Sequence, residues 1–83
     1  MKPNPRELSQ VIAIIGQQKV KLRHKGILYS TRYEFEDLPN QDRFRYSIIP
    51  TMLVEDSWQD VPNGQELLES IIVSDDFELV EIP

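Results

Sequence analysis

Apolar positions alternate between a helical period and a period of two along the chain, and each stretch marks an element or a run of strands. Leu8, Val11, Ile12 and Ile15 recur at the i, i+3, i+4, i+7 spacing of one helical face, which predicts a helix over residues 5–15. Asn4 can cap it, Pro5 suits its first position, Glu7 stands three residues after the cap, and Gly16 is placed to end it in a left-handed conformation. From Gln18 the period drops to two, with Val20 and Leu22 alternating against Lys19, Lys21 and Arg23, as in a half-buried strand. His24-Lys25-Gly26 makes a turn. Ile27, Tyr29, Thr31, Tyr33 and Phe35 then share one face of a second strand. Glu36 to Asp42, with Pro39-Asn40, breaks that pattern, and Phe44, Tyr46 and Ile48 resume it in hairpin order.

Pro50 is expected to stop or bend the third strand, leaving Met52, Leu53 and Val54 as a fourth, edge-placed one. Residues 60–64 read as a loop before a short helix with Leu67, Leu68, Ile71 and Ile72 inward and Glu66 and Glu69 outward. Phe77 to Ile82 alternates again as a last strand. The order α-β-β-β-(β)-α-β predicts an α+β fold, an antiparallel sheet of four to five strands with helices packed on one face. With 83 residues, the chain is expected to be a single domain, 1–83, with a thin core.

Charge divides the chain more sharply than its net of -5 suggests. Residues 1–33 carry seven basic side chains and one acid, whereas residues 34–83 carry thirteen acids with only Arg43 and Arg45. Duplex nucleic acid is therefore an improbable partner, since a polyanion needs several phosphate contacts. There is no cysteine for a disulfide, a thiolate nucleophile or a cysteine zinc site. The longest apolar runs fall short of the roughly 18 residues of a membrane span, and no signal-peptide core is evident. The expectation is a cytoplasmic protein without membrane association.

Catalytic chemistry finds little footing. His24 is the only histidine, and the doublets Glu36-Asp37, Glu55-Asp56 and Asp75-Asp76 are ordinary capping and solubility devices. The glycines at 16, 26 and 64 are too scattered for a phosphate loop, and no acidic spacing matches a calcium loop. No cofactor, no metal and no enzymatic role are expected. The informative polar feature is the stripe Lys19, Lys21, Arg23, Lys25, which alternation aims to one side of a strand as an anion-attracting rail. Its bland alternative is a solvated face whose charges meet Glu34 or Glu36 across the sheet. Trp58 lies in a polar surrounding, Glu55 to Asp60, so it either anchors a loop with its indole N–H wet or stacks on a ligand.

The second half carries Trp58-Gln59, Pro62, Gln65-Glu66-Leu67-Leu68 and Ser74-Asp75-Asp76-Phe77-Glu78-Leu79-Val80. This resembles the ending "WQPS..DLLA.DWE.V" of a family of small, mostly phage and prophage proteins that includes the Thoeris anti-defence proteins. Gln18 to Gly26 is similar to that family's strand reading roughly "KKVRRKGW". Ile27 stands where the family often has Trp, the spacer after Gln59 is longer, and Phe77 replaces a later Trp. The resemblance implies a non-enzymatic homo-oligomer that sequesters a cyclic ADP-ribose-type signal, with Lys21, Arg23 and Lys25 facing phosphates and Trp58 helping to form the pocket. The competing expectation is an acidic protein–protein inhibitor or nucleic-acid mimic that presents the acidic half to a host protein.

Overall fold

A computed structural model describes residues 5–17, 19–38 and 43–82. The elements are helix α1 (Leu8–Ile15), strands β1 (Val20–His24), β2 (Ile27–Leu38), β3 (Arg43–Val54) and β4 (Ser57–Asp60), helix α2 (Gly64–Ser74) and strand β5 (Glu78–Glu81). The sheet order is β4-β3-β2-β1-β5, antiparallel at every pairing. This is the α+β arrangement expected from the periodicity. The first four strands form a meander, and α2 carries the chain back across the sheet so that β5 can pair with β1.

Directly opposed residues share a face of an antiparallel sheet. Leu22, Tyr29 and Met52 are opposed in turn, and this face receives the helices. Val11 and Ile15 of α1, Leu68, Ile71 and Ile72 of α2, and Phe77 close over Leu22 and Tyr29 as one buried core. Val11, Ile15, Leu22, Leu68, Ile71 and Ile72 thus pack where helical and strand spacing placed them, whereas Ile12 and Val20 are only half-buried and lie outside this cluster.

Several local expectations need correction. The helical conformation of α1 starts at Leu8, not at Pro5: Glu7 occupies the cap position with extended backbone and no side-chain hydrogen bond. Asn4, the expected cap, lies outside the described residues. Gly16 is right-handed (φ -70°), and its N–H simply continues the helical pattern to Ile12 O at 3.0 Å. Left-handed backbone falls instead on Lys25 and Gly26 (φ 51° and 80°), the signature of a tight hairpin turn matched to strand twist.

The fourth strand is also different. Met52 to Val54 belong to β3, which passes straight through Pro50, and β4 is the segment holding Trp58. A strand residue points its N and O to the same side, and the Pro50 carbonyl accepts from Val61 N–H at 3.0 Å, just past the end of β4. The missing N–H of Pro50 therefore faces the end of β4 and takes nothing from the β2 ladder. Pro50 also explains Gly64: a Cβ at position 64 would sit 2.6 Å from Pro50 Cβ, so α2 can start this close to the sheet only without a side chain.

β2 reaches Leu38 rather than breaking at Glu36, and the rest of the expected break, residues 39–42, lies outside the described residues. β1 pairs with β2 only from His24–Ile27 to Leu22–Tyr29, and β4 pairs with β3 only from Thr51 onward. Beyond those points β2 and β3 run on together as a two-stranded ribbon, which makes the molecule 48 Å long by 28 and 23 Å.

Candidate functional site

The stripe of basic residues does not form a rail. Lys21 is buried, with only 8% of its surface exposed, although strand alternation turns it away from the helix layer. It reaches the C-terminal end of α1. Its Nζ donates to Ile15 O (3.2 Å), Gln17 O (3.0 Å) and Ser30 Oγ (2.8 Å), which takes all three ammonium hydrogens. Ser30 Oγ also donates to Ile15 O at 3.2 Å. A helix ends with carbonyls unpaired and partial negative charge, and α1 has no basic residue in its last turn, so Lys21 supplies from β1 what the helix lacks. This is possible because β1 has left β2 here, and the end of α1 fits against the exposed edge at Ser30 and Thr31. Burial pushes the Lys21 ammonium below the ordinary lysine value.

Arg23 leaves the stripe in another direction. Its Nη2 and Nε donate to Glu78 Oε1 at 2.6 and 3.2 Å across the β1–β5 pair. Lys25 sits in the hairpin turn, out of strand phase. Arg23 and Lys25 line a cleft of about 240 Å³ together with Asp75, Asp76, Phe77 and Glu78, so two cations there face three carboxylates. His24 Nδ1 lies 2.5 Å from Asp76 O and donates to it in the tautomer that carries hydrogen on Nδ1, which ties the end of β1 to the loop after α2. Glu34 and Glu36, the expected partners of the stripe, are instead paired with Arg32 and Arg45.

A second groove collects the other two expected residues. Lys21 and Trp58 meet on the sheet face opposite the helices, with Nζ 5.8 Å from the indole centroid, at the outer limit of a cation–π contact. Ser30, Arg32, Thr51 and Asp60 complete a groove of about 330 Å³. Register explains the grouping: Ser30 opposes Thr51, Thr51 opposes Asp60, and Leu53 opposes Trp58, which puts Trp58 two residues along from Asp60 on the same face. Trp58 keeps 40% of its surface exposed.

Arg32 is held rigidly at the groove's end. Nε and Nη2 bind Asp60 Oδ1 and Oδ2 at 2.8 and 2.6 Å, and Nη2 also meets Glu34 Oε2 at 3.0 Å. The two carboxylates raise the guanidinium's affinity for its proton, and the hydrogen bonds from Arg32 hold the Asp60 carboxyl below its ordinary value. Nη1 makes no protein hydrogen bond among the described residues, so a fixed fork presents a free donor edge. Arg32 and Asp60 line the same groove and were not among the expected binding residues. Their signal was present in the alternation itself: Ser30 and Arg32 are the polar complement of the aromatic face of β2.

Of the four expected binding residues, then, Lys21 and Trp58 share one groove and Arg23 and Lys25 share another. Among the described residues no group of three or more His, Asp or Glu side chains could hold a metal ion. No helix of the described residues is long and apolar enough to cross a membrane. No family model, curated protein or solved structure matches the chain.

Proposed function

We propose that the protein is a small non-enzymatic binding protein whose outer sheet face takes a phosphorylated nucleotide, with the base on Trp58 and phosphate directed toward Arg32 and the positive charge of Lys21. One observation carries this: an exposed indole, a buried ammonium and a clamped guanidinium occupy the same groove. Stacking accepts any base, and a guanidinium already oriented by Asp60 loses little freedom when it binds phosphate. A cyclic ADP-ribose-type signal has this chemistry, and with the family resemblance it gives the biological reading, a counter-defence sponge. The groove is at the small end of the roughly 300–1,000 Å³ range of ligand sites, so a homo-oligomer would bury such a ligand better than one copy.

The alternative reading as an acidic mimic needs carboxylates gathered on one face. Glu34, Glu36, Asp60 and Glu78 are each held by an arginine, while Glu55, Asp56, Glu66, Glu69, Asp75 and Asp76 are spread over a turn, α2 and the loop after it. That distribution favours capture.

Trp58 is the only tryptophan, so its fluorescence reports on the groove directly. Titration with cyclic ADP-ribose isomers and cyclic dinucleotides is expected to give saturable quenching for one of them, with intact ligand mass on the protein by native mass spectrometry. Trp58→Ala is expected to weaken that binding about tenfold or more, the value of one stacked base. No mass gain from any of these ligands would overturn the proposal, and recovery of chemically altered ligand would replace it with catalysis.

A further inference from the structure

Thr51 lies in the groove on the sheet face opposite the helices, yet only 5% of its surface is exposed. Its ladder neighbours are Ser30 on β2 and Asp60 on β4, and both are committed within the fold. Ser30 Oγ accepts from Lys21 Nζ at 2.8 Å and donates to Ile15 O at 3.2 Å, while the two Asp60 oxygens are held by Arg32 at 2.8 and 2.6 Å. The Thr51 hydroxyl has no hydrogen-bond partner among the described residues. None of their side-chain nitrogens and oxygens is both sealed from the surface and unpaired, so this hydroxyl opens onto the groove. Burying a hydroxyl without a partner is costly, and Val would fill the same place in a strand. At the floor of an open groove the missing partner is water or a ligand.

We propose that Thr51 Oγ1 and Arg32 Nη1 together hold the anion of the captured ligand, and that the group they select is a singly charged phosphodiester rather than a terminal phosphate. This rests on the capture reading and names the anion that the groove takes. Hydrogen-bond supply gives the first half of the argument. Lys21 commits all three ammonium hydrogens to Ile15, Gln17 and Ser30, so it contributes charge but no bond to the ligand. Arg32 commits Nε and Nη2 to Asp60 and Glu34, which leaves the two hydrogens of Nη1. Thr51 opposes Ser30 and Arg32 opposes Ile49, so Thr51 and Arg32 are diagonal neighbours in the β2–β3 ladder, a separation that a long side chain spans. Two donor groups at that spacing match the two unesterified oxygens of a phosphodiester. Charge gives the second half. Lys21 and Arg32 against Asp60 leave the groove lining with a net of one positive charge. A phosphodiester carries one negative charge, whereas a terminal phosphate carries about -1.5 to -2 at neutral pH, and its surplus would face Asp60. Glu34, bonded to Arg32 from the ribbon side, adds to that repulsion.

Cyclic AMP and AMP share a base and differ in this charge, so the wild-type protein tests the selection without a variant. Quenching of Trp58 is expected to saturate with cyclic AMP and to need at least about tenfold more AMP, since the surplus charge of AMP meets a carboxylate. Thr51→Val keeps the shape and removes the hydroxyl. It is expected to weaken cyclic AMP about tenfold or more, the value of one hydrogen bond to a charged group. Its thermal midpoint should equal or exceed that of wild type, because no bond within the protein is lost, whereas Ser30→Ala in the same groove should lower it. Equal affinity for the two nucleotides, no binding of cyclic AMP, unweakened binding by Thr51→Val or a lowered midpoint in that variant would each overturn the inference. Capture itself would stand if a cyclic ADP-ribose isomer or a cyclic dinucleotide still quenched Trp58, and would fall as well if none did.

Discussion

The same two strands behave as two different materials. Around Tyr29 and Met52, β2 and β3 are flanked by β1 and β4 and covered by two helices, so alternation there separates a buried core from a polar groove. A few residues farther on the alternation is the same, yet Tyr33, Phe35 and Tyr46 lie exposed because no helix follows and no strand flanks them among the described residues. Period-two patterning therefore specifies which residues share a face, and the extent of the covering layer decides whether that face is buried or exposed. The contrast separates a covered face from an exposed one along a single hairpin.

The largest expected effect tests that separation directly. Leu68→Ala empties a fully buried position beneath the base of the sheet and is expected to destabilise the fold by about 2–5 kcal/mol. Phe35→Ser removes more apolar surface but from the ribbon, and its effect on monomer stability is expected within about 0.5 kcal/mol. Urea unfolding of both variants at low protein concentration, followed by Trp58 fluorescence, measures the difference. Comparable losses would mean that the ribbon is part of the cooperative core.

This comparison also explains what could be read from sequence. The helices, the hairpin and most inward residues were legible because each follows from spacing alone, and Leu22, Leu68 and Ile71 are buried as placed. The strand through Pro50 was not legible, because whether a missing N–H matters depends on which neighbour it faces, and that is a property of the sheet. The basic stripe failed for a similar reason. Alternation gives a side chain its face, but Lys21 is drawn inward by the carbonyls of a helix end that becomes its neighbour only in the folded chain. Trp58 and Lys21 were recognisable as candidates, whereas their grouping with Arg32 and Asp60 required the register of three strands.

Lys21→Met tests the boundary between the two regions, where α1 ends beside the unpaired edge of β2. Methionine preserves most of the stem and removes the three donated hydrogen bonds. Ile15 O keeps its bond from Ser30, and Gln17 O is partly open to water, so the expected loss is about 1–2 kcal/mol, toward the lower end for unsatisfied buried groups. Native-state exchange should locate this loss in the last turn of α1, at amides such as that of Gly16. Uniform loss across the sheet, or none, would show that the ammonium does not cap the helix and would return Lys21 to the list of free phosphate ligands.

The smallest expected effect concerns the Arg32–Asp60 pair, which spans from β2 across β3 to β4 at the point where the ribbon begins. Because Arg32 holds the Asp60 carboxyl below its ordinary value of 3.8, the folded state binds that proton more weakly than the unfolded chain does. The pair's contribution is therefore fully present above that ordinary value and fades as pH falls through the lower, folded value. Both side chains are about half exposed, so the contribution is small and screened by salt. In Arg32→Gln the Asp60 titration, followed by carboxyl NMR, is expected to move back up toward the ordinary carboxylate range. The stability difference from wild type should be constant at neutral pH and shrink in acid. A difference that persists unchanged below the folded titration would mean that Arg32 acts at the junction through packing of its side chain rather than through charge.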